Sequence, residues 1–364
     1  MRQSNRVTVL AQRHRFLNAI YIVLPCMGIA LLYPVMADDY KDWVAFLNAV
    51  VIGFIGGIFL AYHQDYLTYR ATITKYSFAA RFAMTTVLYS VGLPLLVLIV
   101  YAITRSIEAR EGLLEFISGP AFRGFVTGDF SMIAIWALVA AFVLSFTFNM
   151  RRQIAGSLMA NLILGTYAKP KLEKRAIMSI DINDATTIAE RLGEDRYFEL
   201  LNDVFAAITP AILGSNGEIY RYVGDQVTVT WTYGKHFDPA WCIRMRFIAR
   251  NMIIQRAEVF LEKYGIVPDF KAALHCGELI VGEIGDVMCQ LVLHGDAIYI
   301  AQKMEKYCNP LNEPFLISDA FMEDLNLPGI YDSKEAGDFV FGSTTIRLFG
   351  ISEVQAGIDA LATH

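Results

Sequence analysis

Through its first 150 residues the chain is apolar in four long blocks separated by short polar ones. No Asp, Glu, Lys or Arg falls within Phe16–Ala37, Trp43–Gln64, Phe82–Thr104 or Phe130–Met150. At ~1.5 Å of rise per residue, a helix over any of these blocks crosses a hydrocarbon core ~30 Å thick. The pattern predicts an all-α transmembrane bundle of four spans over residues 1–150. Beyond it, Ile154, Leu158, Leu162 and Leu164 keep near-helical spacing until Lys169-Pro170, which predicts a helical linker over 151–172. The period then changes. Ala176–Ile182 reads as a buried strand carrying Asp181, and Ile188–Ile212 as an amphipathic helix. Gly217–Trp231 alternates as a hairpin with Gly224-Asp225 at its tip, and a second helix covers 240–264. Strands at 270–275, 278–282 and 289–294 precede a third helix near 297–307. Strand–helix–strand–strand–helix–strand is the ferredoxin-like, palm-type order of an α+β domain, here over residues 173–355.

Composition agrees with this division. The chain is 55% hydrophobic and 18% charged, against ~25% charged for soluble domains, which excludes a disordered or fibrous protein. Of its 67 Lys, Arg, Asp and Glu residues only 19 lie in residues 1–150. A net charge of −5 without a basic block argues against a nucleic-acid partner. Arg2, Arg6, Arg13 and Arg15 precede the first block, and Arg151, Arg152, Lys169, Lys171, Lys174 and Arg175 follow the fourth. Positive flanks stay inside, so both termini and the soluble half are expected in the cytoplasm, with membrane lipid around the spans. No charged residue lies inside a span, which speaks against transport. Gly53 and Gly57 form a GxxxG pair suited to close helix contact, a candidate dimer contact. His14 and His63 are isolated near the membrane boundaries and read as interfacial. Cys26, Cys242, Cys276, Cys289 and Cys308 lack metal-site spacing and read as buried, reduced thiols.

The candidate chemistry lies in Asp181 and Asp225. In a palm-type sheet a strand end and a hairpin tip stand side by side, where two carboxylates are tolerated if a divalent cation sits between them. Two carboxylates and a main-chain carbonyl suit Mg²⁺.

Several motifs in order strengthen the pair. They are Gly165-Thr166-Tyr167-Ala168-Lys169-Pro170, Ile180-Asp181-Ile182 with Thr186-Thr187, Tyr222-Val223-Gly224-Asp225, Ala273-Leu274-His275 with Gly277-Glu278, and His294-Gly295-Asp296 with Ile298 and Ala301. In these the soluble half resembles the class III nucleotidyl cyclases, bacterial type with an N-terminal four-helix membrane domain. The resemblance implies a lyase that converts a nucleoside triphosphate, ATP on family grounds, to a 3′,5′-cyclic nucleotide and pyrophosphate. It implies two Mg²⁺ or Mn²⁺ ions per site, held by Asp181, Ile182 and Asp225, and sites at a homodimer interface. Thr186, Thr187, Arg221 and Val292 fall on its nucleotide-binding positions, Tyr299 and Lys303 on its catalytic ones.

The departures cluster at substrate-reading positions. Arg221 stands for the family's base-contacting Lys and Val292 for its Asp or Thr partner. Tyr299 replaces the ribose-orienting Asn, Lys303 the transition-state Arg, and no basic residue stands at Phe341-Gly342-Ser343. A catalytically degenerate module that binds nucleotide or serves a partner, and a cyclase for GTP or a pyrimidine nucleotide, therefore stay open as alternatives. A dinucleotide cyclase is disfavoured because no Gly-Gly-[Asp/Glu]-Glu-Phe-like run is present.

Overall fold

The computed structural model describes residues 19, 20, 22–32, 34, 35, 42–69, 77–153, 166, 167, 169–235, 237–285 and 290–354. The chain divides into two compact units, within Arg13–Ile154 and within Ala155–His364.

The first unit is helical: α1 (Ile22–Leu32), α2 (Trp43–Tyr69), α3 (Phe78–Ala109), the short α4 (Leu113–Ser118) and α5 (Pro120–Thr127), and α6 (Asp129–Gln153). Among the described residues three helices, α2, α3 and α6, are long and apolar enough to cross a membrane. The first of the four expected spans is represented by the shorter apolar α1; residues 16–18, 21, 33, 36 and 37 of that block lie outside the described residues. Exposed apolar side chains such as Leu95, Ile99, Ile135 and Val139 cover the outside, while Ile22, Leu60, Tyr89 and Ala141 are buried together. That arrangement suits an apolar surrounding, because these outward side chains offer water no polar groups. The GxxxG pair is used inside this bundle. A Cβ on Gly53 would lie 2.6 Å from Met27 Cα, and one on Gly57 2.8 Å from Val23 Cα, so the two glycines let α1 lie directly on α2. His63 Nδ1 is 2.8 Å from the Tyr89 hydroxyl, so it too is engaged within the helices; His14 lies outside the described residues.

The second unit is built on one eight-stranded sheet. Its elements are β1 (Lys171–Ile182), α7 (Ala185–Leu192), α8 (Glu194–Gly214), β2 (Glu218–Val223), β3 (Gln226–Thr232), α9 (Ala240–Ile254), α10 (Ala257–Tyr264), β4 (Phe270–Ile284), β5 (Gln290–His294), α11 (Asp296–Lys306), α12 (Cys308–Leu311), β6 (Phe315–Ser318), α13 (Asp319–Asp324), β7 (Tyr331–Phe341) and β8 (Thr344–Glu353). The strand order is β2-β3-β1-β4-β6-β8-β7, with β5 also on β4. Its first four strands, paired antiparallel, form the ferredoxin-like core, and β6 joins β4 in parallel.

Alternation along β1 sorts its side chains between two layers. Ala176, Met178, Ile180 and Ile182 pack with Leu200, Val204 and Ile208 of α8 and Ile243 of α9. Ile177 faces the other way, onto Ala297, Ile298 and Ala301 of α11. Asp181 shares the parity of Ile177 and therefore the α11 side.

Several boundaries differ from the sequence expectation, each for a local reason. The helix expected over 188–212 is two helices, broken at Gly193, whose φ of +77° belongs to the left-handed region. The expected 240–264 helix is likewise divided, between Ile254 and Ala257. Cys276-Gly277 was expected to separate two strands, yet β4 runs through it unbroken. Gly277 serves close packing instead, since a Cβ there would lie 2.8 Å from Ala297 Cβ on α11. The strand expected from Ala176 starts at Lys171, and Pro170 packs over Gly282 of β4. The linker periodicity at Ile154, Leu158, Leu162 and Leu164 lies outside the described residues. Cys26, Cys242, Cys276 and Cys308 are free thiols; Cys289 lies outside the described residues.

Candidate active site

Asp181 is the penultimate residue of β1. Register places Gln226 of β3 opposite it on one side and Lys271 of β4 on the other. Val223 pairs with Gln226, so Gly224 and Asp225 form a two-residue hairpin loop, with Gly224 at φ +61°. Asp225 thus stands one residue from the strand position facing Asp181. The carboxyls are neighbours: burial, and then the negative charge of Asp181 beside it, raise the Asp225 carboxyl above its ordinary range. Tyr197, from the first turn of α8, responds to both. Burial and then the negative charge of Asp225 and Asp181 push its hydroxyl up to about 12.

A second set of groups lies beneath Asp181. Lys271 Nζ is 3.2 Å from Asp181 Oδ2 and 3.1 Å from Glu305 Oε1. Gln226 Nε2 donates to Glu305 Oε2 at 3.3 Å. Glu305, on α11, is 2% exposed. Burial, reinforced by the Asp181 charge, pushes its carboxyl up to about 7 despite Lys271. Lys271 in turn is raised: its two carboxylate neighbours outweigh its own desolvation.

The other sequence-derived candidates fall on the following elements. Ile182 ends β1 and is buried, whereas Thr186 and Thr187 are exposed in the first turn of α7. Arg221 is exposed on β2 with its guanidinium over the Tyr220 ring. Val292 pairs with Gly282 on β5. Tyr299 and Lys303 are exposed on α11, and Lys303 Nζ lies 5.1 Å from the centre of the Phe341 ring. One chain therefore brings Asp181, Ile182 and Asp225 together, while Arg221, Val292, Tyr299 and Lys303 are spread over β2, β5 and α11.

Sequence reasoning did not find Lys271, Glu305, Gln226 or Tyr197. Lys271 and Gln226 become neighbours of Asp181 only through cross-strand register, and Glu305 only through the docking of α11. A signal for Glu305 was its place two residues after Lys303 in an otherwise amphipathic helix, where an acid on the buried face needs a partner.

The donor set fits a hard divalent cation. Two adjacent carboxylates offer oxygen ligands to Mg²⁺ or Mn²⁺, and their mutual repulsion favours a cation between them. Among the described residues no group of three or more His, Cys, Asp or Glu side chains gathers for a metal.

Near the start of the unit a separate polar knot is buried. Arg175, 3% exposed, donates to Glu173, Glu218, Thr230 and the Tyr167 hydroxyl, and that hydroxyl donates to Glu173 at 3.0 Å. It joins Tyr167 to the base of β2, the strand that leads to Asp225.

Two solved structures of bacterial light-regulated adenylyl cyclases share this architecture. One gives a TM-score of 0.53 at 17% identity, over 64% of this chain and 69% of that one. The other gives 0.52 at 18%, over 62% and 66%. The second unit has the class III nucleotidyl cyclase fold. In sequence the chain is 32% identical over 206 residues to adenylate cyclase 2 of Rhizobium meliloti (strain 1021). That match covers 57% of each chain, so the cyclase-like chain aligns with little more than half of its relative. No protein-family model matches it.

Proposed function

We propose that the chain is a membrane-anchored nucleotidyl cyclase that converts a nucleoside triphosphate, ATP first among them, to a 3′,5′-cyclic nucleotide and pyrophosphate. The observation that carries this reading is the adjacency of Asp181 and Asp225 at a strand end and a hairpin tip of a class III fold. The name of the 32% identical relative, adenylate cyclase 2, favours ATP. The reaction is an in-line attack of the ribose 3′-oxygen on the α-phosphorus, with pyrophosphate as the leaving group.

Asp181, Asp225 and the Ile182 carbonyl hold the cations. Mg²⁺ or Mn²⁺ held there, two per site by the family resemblance, would lower the pKa of the 3′-hydroxyl and neutralise the triphosphate. Lys303 brings positive charge to the α-phosphate without the forked donors of Arg. Tyr299 stacks on the ribose or donates to it. Val292 cannot accept the exocyclic amine of adenine, so base selection falls to Arg221 and the backbone around it. The resemblance supports a site completed by a second copy, with Arg221, Val292, Tyr299 and Lys303 facing the partner's carboxylates in a symmetric homodimer with two equivalent sites. The apolar helices and the basic flanks support a membrane bundle of four spans with the cyclase half in the cytoplasm.

The substitutions at Arg221, Val292, Tyr299 and Lys303 support a second reading, a cyclase-fold module that binds nucleotide without turnover. Purified full-length protein incubated with each of the four nucleoside triphosphates and Mg²⁺ or Mn²⁺ separates the two. Cyclic product with pyrophosphate, greatest from ATP, is the expected result. Folded protein that yields neither with any of the four overturns catalysis and leaves the binding module.

A further inference from the structure

Asp181 is held from behind. Its two cross-strand neighbours, Gln226 and Lys271, belong to the same face of the sheet, and both reach one carboxyl on the helix packed there, Glu305 of α11. Lys271 spans the remaining gap, 3.2 Å to Asp181 Oδ2 and 3.1 Å to Glu305 Oε1, with its side chain only 14% exposed. Stability does not account for this arrangement. A buried ion pair is commonly no better for the fold than apolar side chains of the same size, because desolvation cancels the attraction. What the arrangement supplies is direction: an ammonium anchored in the core fixes Oδ2 of Asp181 beside the hairpin tip that carries Asp225.

We propose that Lys271, anchored by Glu305 and Gln226, is a positioning residue that sets the orientation of the Asp181 carboxylate for divalent-cation binding. The inference rests on the reading of Asp181 and Asp225 as the cation-holding pair. It makes a prediction of unusual sign. If charge alone mattered, removing an ammonium 3.2 Å from the carboxylate would tighten cation binding. If Lys271 positions Asp181, its removal weakens binding even though a repelling charge has gone.

The test is Mn²⁺ affinity of the full-length protein, measured by electron paramagnetic resonance of the free ion, alongside thermal unfolding. Lys271→Met is expected to weaken affinity about 10- to 100-fold, the usual effect of losing a group that orients a metal ligand. Lys271→Arg, which can still bridge Asp181 and Glu305, is expected to recover most of it. The double variant Lys271→Met/Glu305→Leu removes the unpaired buried acid, so it keeps the fold stable if the single variant unfolds, and it is expected to remain as weak. Unchanged or tighter Mn²⁺ binding in either folded Met variant overturns the positioning role. Asp225→Asn separates the two levels: if it lowers affinity while the Lys271 variants do not, only the present inference fails. If it too leaves Mn²⁺ binding intact, the cation-site reading fails and the inference with it.

Discussion

The carboxyl of Asp225, at the hairpin tip, lies beside that of Asp181, near the end of a strand distant from it in sequence, and burial together with the Asp181 charge raises the Asp225 carboxyl above its ordinary range. Two acids that repel in the folded protein are a cost to stability that a cation repays. Asp225→Asn therefore separates function from folding. Cyclic-nucleotide formation is expected to fall by about 10²-fold or more, while the thermal midpoint stays level or rises. Full activity in the variant, checked by chromatography of the product, would refute the assignment.

Lys303 reaches toward Phe341 as a single ammonium where the resemblance to class III cyclases implies a guanidinium. Lys303→Arg restores a fork that binds two phosphate oxygens at once. On the reading above, kcat is expected to rise on the order of tenfold with little change in KM. A lower kcat would mean that this position serves packing rather than the transferring phosphate.

Glu305 governs a pH dependence whose sign follows from its burial. The folded protein holds that proton up to about 7, whereas an unperturbed Glu releases it near 4.5, so stability is full at low pH and is lost as pH rises between those values. Asp225, also raised, adds in the same direction. Glu305→Gln is expected to flatten the slope. Relative to wild type it gains on the order of 1–3 kcal/mol between pH 5 and pH 8. Thermal unfolding of both proteins across that range decides it; parallel curves would place the titration elsewhere.

Arg175 sits at the centre of a buried knot shared by Tyr167, Glu173, Glu218 and Thr230. Arg175→Met leaves Glu173 without its cation and is expected to cost about 3 kcal/mol, read as a lower unfolding midpoint. An unchanged midpoint would show that water replaces the guanidinium at no cost.

In the membrane half, Gly53→Val sets a branched side chain where even a Cβ would stand 2.6 Å from Met27 Cα. Forcing the two backbones apart is expected to cost about 1–3 kcal/mol. Gly92→Val, whose Cβ would lie 3.8 Å from the Phe59 ring, is the milder control. Equal thermal stability of the two variants in detergent would remove the close α1–α2 contact from the account.

Much was written locally. Charge-free blocks mark helices that suit lipid, because a polar group in hydrocarbon is costly wherever the helix packs. Period two around Gly224-Asp225 and the order of strands and helices mark the ferredoxin-like core, since each element must turn an apolar face inward before any partner is known. The two acids stand out because a strand end and a hairpin tip converge in that order of elements. Tertiary structure decided the rest. Gly277 looks like a break, yet its lack of a side chain is what admits Ala297 of α11. The GxxxG pair suits any close helix, and only the bundle shows α1 lying on it. Lys271 and Gln226 reach Asp181 through register, and Glu305 reaches them through the packing of α11 on the sheet. Periodicity reports which face of an element is buried. It carries no information about which residue of another element, 34 to 124 positions away, is waiting on the other side.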